Sequence, residues 1–290
     1  MATAEELIRR RLLESTDLEA VLARYLEIPA VFIQAPPADT DDGWDGATQY
    51  PRVNFVIDKQ AEAEHESTGT LHVDIECAET GAPPEDIEPL IRRALAGVFY
   101  APDEGSVFAL AWDNTSTFQE KSQSSKESLI VGAAIEFSLV AFPDLEPGDP
   151  DPVAAINAYT EKWDKDITII SKAQIADFFE PTRENPAVYF GRRAVNIDRM
   201  TNTVTWLNAV LVVHFFAPDL QDRVQWIEQF AQQLALDTEV TMLDGSPMFI
   251  KDIKGDAERS DIAGQLLVKV QYGLLRRPKY AHTAVKMNLS

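Results

Sequence analysis

Pro51-Arg52-Val53-Asn54-Phe55 and Pro186-Ala187-Val188-Tyr189-Phe190 are two strand openings of the same kind, 135 residues apart. Proline cannot donate to a ladder, so within a sheet it belongs at the start of a strand or on an edge. The same plan follows each opening. After the first come an alternating run at Thr70–Cys77, an amphipathic helix at Pro84–Phe99, then strands at Val107–Trp112 and Ile130–Phe142. After the second come a strand at Trp206–Phe216, a helix at Asp219–Leu236, then strands at Met248–Ile253 and Gln265–Leu275. This order predicts an α+β chain of two similar domains, each a small antiparallel or mixed sheet with helices packed on one face. A repeat this long is a duplicated domain, because solenoid units run ~20–50 residues.

The patterning inside each half supports the plan. Leu71, Val73, Ile75 and Cys77 alternate with His72, Asp74 and Glu76, which is the period of a half-buried strand. Leu7, Ile8, Leu12 and Leu13 recur at helical spacing. Thr16 and Glu19 form a capping-box pattern ahead of Leu18, Val21, Leu22, Tyr25 and Leu26, which predicts a second helix. Pro83-Pro84-Glu85-Asp86 is a helix start, with proline in the first turn and acids at the positive end of the dipole. In the second half a helix is expected at Val153–Trp163, and Ser171 with Gln174 caps a further turn or helix up to Phe179. Val204–Phe216 is nearly continuous apolar sequence, as expected of a central strand buried on both faces. The polar run Asp113–Ser128 reads as a long hairpin arm or a mobile loop. Pro143–Pro152 holds four prolines, one glycine and four acids, a stiff solvated linker. The predicted domains are 1–143 and 153–290, joined by 144–152.

Charge separates the halves. The 290-residue chain carries a formal net charge of −21. Residues 1–151 contain 10 Lys and Arg against 30 Asp and Glu, and the remainder contains 16 against 17. An acidic surface of this strength repels phosphate and opposes nonspecific nucleic-acid binding. The bias reverses after Ile262, where five basic residues meet no acid. No run approaches the ~18 apolar residues of a membrane helix. The start, Met1-Ala2-Thr3-Ala4-Glu5-Glu6, lacks a basic and apolar leader pattern. The lone Cys77 excludes an internal disulfide, and assembly in the cytoplasm is expected.

Catalytic patterns are missing. His65, His72, His214 and His282 show no metal-ligand spacing, and no nucleophile elbow, P-loop or dinucleotide fingerprint occurs. Asp39-Thr40-Asp41-Asp42-Gly43 resembles a calcium loop, but glycine falls at the fifth position and Tyr50 at the twelfth, so the spacing fails. Neither a cofactor nor a metal is expected, and a structural role is favoured over an enzyme.

The first domain resembles the tail terminator, or tail completion, proteins of tailed bacteriophages. The resemblance covers roughly residues 4–143. It rests on the helix opening Glu5-Glu6-Leu7-Ile8-Arg9-Arg10, the strands at Pro51–Ile57, Leu71–Cys77 and Ile135–Phe142, and the helix at Ile87–Phe99. It implies a virion protein at the head-proximal end of the tail, in a ring that stops tube growth and meets the head–tail connector. The implied partners are other copies of the chain, the tail tube protein, a sheath where there is one, and the connector or adaptor. DNA passes through such a ring without specific binding, and no membrane is involved. On this reading Glu62, Glu64, Glu66, Asp74 and Glu76 form an acidic lumen surface. Thr117, Phe118, Gln119, Lys121, Lys126, Arg276, Arg277 and Lys279 are assembly contacts. The second domain departs from the family. It leads either to three chains in a pseudo-sixfold ring or to six chains with the second domain outside, and the uneven charge favours six. Another neck, adaptor or baseplate role remains open, as does a bacterial interaction module.

Overall fold

The structure is a computed structural model that describes residues 2–45, 49–59, 67–121, 129–145, 148–171, 173–255 and 264–276. It divides into two compact units. Unit 1 holds Met1–Asp144 and Ile170–Asn185, and unit 2 holds Leu145–Ile169 and Pro186–Ser290.

Unit 1 begins with helices α1 (Ala4–Leu13) and α2 (Thr16–Val21). Thr3 and Glu6 close a reciprocal capping box at the head of α1. Short strands β1 (Arg24–Tyr25), β2 (Ile28–Pro29) and β4 (Trp44–Asp45) form a small sheet, and β3 (Val31–Ile33) joins the large one. Then follow β5 (Arg52–Lys59), β6 (Ser67–Ala78), α3 (Pro84–Leu95), β7 (Phe99–Ala101), β8 (Val107–Lys121) and β9 (Leu129–Phe142). Unit 2 contains α4 (Pro152–Trp163), β10 (Thr168–Ile169), β12 (Ala187–Met200), β13 (Val204–Phe216), α5 (Leu220–Asp237), β14 (Glu239–Thr241), β15 (Pro247–Gly255) and β16 (Leu266–Leu275). The strand β11 (Asp177–Phe179) lies between β10 and β12 in the chain but belongs to unit 1.

The duplication is visible in the sheets. Unit 1 runs β11-β7-β8-β9-β6-β5-β3, and unit 2 runs β14-β15-β16-β13-β12-β10. Without β11 the orders correspond strand for strand. In both units the first strand of the set is parallel to the second, β3 to β5 and β10 to β12, and every other pairing is antiparallel. Each unit has its own core. One joins Leu7, Leu71, Ile75, Ile91, Ile135 and Phe137, and the other joins Ile156, Phe190, Leu211, Phe215, Phe230 and Val268.

Several expectations need correction. The helix beginning near Thr16 is capped by Ser15 and stops at Val21. Leu26 and Glu27 adopt positive φ of 50° and 67°, which no helix continues through, and Tyr25 lies in β1. The helix from Pro84 ends at Leu95, so that Phe99 opens β7. For Asp113–Ser128 the hairpin-arm reading holds and the loop reading does not over the described part: Asp113–Lys121 is the second half of β8, with its ladder on Leu129–Glu136 of β9, and 122–128 lie outside the described residues. The turn expected after Ser171 forms, with Gln174 N–H and Ile175 N–H donating to Ser171 O, and the stretch ends in β11 rather than a helix. Strand β13 is central, but Trp206, Asn208, Val210 and Val212 on one face are half-buried.

Candidate functional site

One face of the unit 1 sheet collects carboxylates. Register sets His72, Asp74 and Glu76 of β6 beside Glu136, Ala134 and Gly132 of β9, which in turn pair with Asn114, Ser116 and Phe118 of β8. Glu120 continues the row on β8. His72 Nδ1 lies 3.6 Å from Glu136 Oε1, and Asn114 Nδ2 donates to Glu136 Oε2 at 2.7 Å. Asn54 Nδ2 donates to Asp74 Oδ2 at 3.4 Å, while Asn54 Oδ1 is buried with no partner. Burial holds the Asp74 carboxyl above its ordinary pKa. Of the expected lumen residues, Asp74 and Glu76 share this face, while Glu62, Glu64 and Glu66 lie outside the described residues.

Glu76 is not a free surface charge. Arg52, with 9 % of its side chain exposed, lies 2.6 Å from Glu76 and 2.7 Å from Asp39. The Tyr50 hydroxyl donates to Asp39 at 2.9 Å, and the guanidinium stands 4.7 Å from the Tyr50 ring centroid. Burial pushes the Tyr50 phenol up to about 12. The false calcium loop is thus tied down through Asp39, and Asp41 accepts from Gly43 N and the Tyr25 hydroxyl. A cleft of about 380 Å³ lies over the cluster, lined in part by Pro36, Tyr50, Arg52, Glu76 and Glu120. No pattern along the chain links this cluster, because Asp39, Arg52 and Glu76 come from three separate segments. Among the described residues no group of three or more His, Cys, Asp or Glu is placed to hold a metal ion.

The expected contact residues Thr117, Phe118 and Gln119 lie together on the outer half of β8, beside Pro83, Pro84 and Glu85. Phe118 crosses Gly132, where a Cβ would stand 2.2 Å from its ring. Lys121 closes the β8 ladder opposite Leu129, and Lys126 is outside the described residues. Arg276 is not part of a free tail. Its backbone N–H donates to Thr203 O and its guanidinium to Thr201 O, fastening the β12–β13 turn. Arg277 and Lys279 are outside the described residues.

Two strand edges stand open beside these features. β7 reaches only Phe108 and Ala109 of β8, and β10 reaches only Ala187 and Val188 of β12. Among the described residues no strand lies along the outer side of Leu110–Lys121 or of Phe190–Met200. Val195, Ile197 and Met200 on the second edge are 43 %, 57 % and 62 % exposed. His214 is buried, with its ring against Tyr189 and Phe216. No helix among the described residues is long and apolar enough to cross a membrane. No protein-family model, curated protein or solved structure matches the chain.

Proposed function

We propose that this chain is a structural protein of a tailed-phage virion, forming a ring at the head-proximal end of the tail. The observation that carries the reading is the strand order built twice, each time with a long strand whose outer edge has no described partner. Open edges of this length are templates for another chain, and a protein that assembles with itself uses them as joints. In this reading the helices of each unit cover one sheet face, and the opposite face of unit 1 presents Asp74, Glu120 and Glu136 to the passage of DNA. Like charge keeps the duplex moving without adhesion. The ring ends tube growth, limits any sheath and meets the connector. The tail-terminator assignment itself comes from the sequence resemblance, and a shared fold alone would not carry it.

Light scattering after size exclusion, with negative-stain images of the same peak, tests the proposal. Annular particles of six chains, or of three, are the expected result. A chain that stays monomeric and shows no annuli, even with purified tail tubes present, would remove the ring reading.

A further inference from the structure

We infer that copies of this chain join by pairing the open edge of β8 in one copy with the open edge of β12 in the next. The inference rests on the self-assembling reading above and gives it a specific joint.

The β8 edge is unguarded. Natural edge strands are blunted by charge, proline or bulges. Asn114-Thr115-Ser116-Thr117-Phe118-Gln119 has no charge and no proline, and its one ladder irregularity lies just before it, between Trp112 and Asn114. The β12 edge supplies the complement. Its irregularities lie between Arg192 and Ala194 and between Ile197 and Arg199, leaving Ala194–Ile197 regular. The exposed Val195 and Ile197 fall in that window.

Charge favours this pairing over that of two β8 edges. β12 carries Arg192, Arg193 and Arg199 against Asp198. Docked antiparallel, Ala194–Ile197 faces Phe118–Thr115. Arg192 and Arg193 then arrive at the Glu120 end of β8, and Arg199 at the Asp113 end. Pairing β8 with a second β8 would bring two acidic sheet faces edge to edge, which like-charge repulsion opposes. The two edges differ, so the contact is head-to-tail: it propagates from copy to copy and closes into a ring only if the rotation allows.

Two variants and their mixture test the joint. T117K puts a charge on the β8 edge, and V195K/I197K puts two on the β12 edge. Each variant alone is expected to fall to the 32.3 kDa of one chain by light scattering, with a wild-type circular dichroism melt. Mixed in equal amounts, they retain one intact β8 edge and one intact β12 edge, so the mass rises to that of a 1:1 pair and stops there. An unchanged mass for V195K/I197K would overturn the inference. So would a mixture that stays monomeric while both variants melt normally, or a wild type that is monomeric throughout. The outcomes separate the two proposals. Annuli that persist in both variants leave the ring reading standing and remove this joint. A 1:1 pair from a wild type that makes only open chains keeps the joint and removes the tail-neck ring.

Discussion

At the scale of single residues, buried polar chemistry in unit 1 decides more than the exposed charge does. Arg52 neutralises two carboxylates at once, and its removal would leave Asp39 and Glu76 facing each other with little water. Breaking a buried ion pair from one side costs about 3–5 kcal/mol. R52A is therefore expected to lower the unfolding free energy, taken from the urea midpoint and slope, by an amount in that range. D39N/E76Q in the same background should recover part of the loss, because neutral amides remove the repulsion. Asp74 shows the opposite sign. Its folded pKa is raised by burial, so the protonated form favours folding, and that contribution is lost as pH rises through the folded value. At neutral pH the fold thus carries an unfavourable charge. D74N removes the charge and offers an N–H₂ to the unpartnered Asn54 Oδ1. Its unfolding free energy should exceed that of the wild type at pH 7. The gain from the lost charge should disappear by about pH 3, where most carboxyls are protonated in both states. A gain that grows on acidification would contradict this account.

At the scale of elements, the β8–β9 ribbon depends on an empty position. Gly132 lets Phe118 lie across β9, and a Cβ there would also stand 2.5 Å from Ile75 O on the neighbouring β6. G132A should destabilise by about 1–3 kcal/mol, the usual cost of overpacking. The F118A background should relieve only part of this, since the carbonyl remains, and thermal unfolding of the three variants measures both effects. The same elements show what the sequence could reveal. Strands with one buried face, such as β6 and β9, were legible because apolar residues alternate and the pattern needs no knowledge of partners. The outer half of β8 was legible only as a hairpin arm or a loop, because its Ser, Thr and Gln side chains record an edge position while its ladder comes from β9. Leu22, Tyr25 and Leu26 keep helical spacing past the end of α2, yet the positive φ at Leu26 and Glu27 turns the chain into a small sheet. The polar run marks Thr117–Gln119 as an arm, while nothing in the sequence marks the β12 edge, since Val195 and Ile197 look like ordinary core residues of a strand.

At the scale of the whole molecule, the linker marks only the first of three crossings between the units. The chain leaves unit 1 after Asp144, returns for Ile170–Asn185 and then enters unit 2 for good. The returning segment brings β11, which extends the unit 1 sheet by pairing with β7. Phe178 packs against the unit 1 core and lies beneath Arg10 and Arg11, which also meet Asp177 and Glu180. Three residues of strand are too few to signal this in sequence, and their partner lies more than seventy positions earlier. A fragment of residues 1–145 therefore keeps its core residues but lacks a strand and the counter-charges of two arginines. It should fold with a melting temperature about 4–8 °C below that of unit 1 in the intact chain, the equivalent of roughly 1–2 kcal/mol at this size. A peptide of residues 170–185 binds only the folded fragment, so adding it should raise the melting temperature in a saturable way. F178A in the peptide should abolish the rise, because the ring supplies both the core contact and the platform for the arginines. A fragment that melts with the intact unit and ignores the peptide would show that β11 is a passive connection between units. A saturable response that needs Phe178 would make β11 an integral strand of unit 1, supplied by chain that lies beyond the linker.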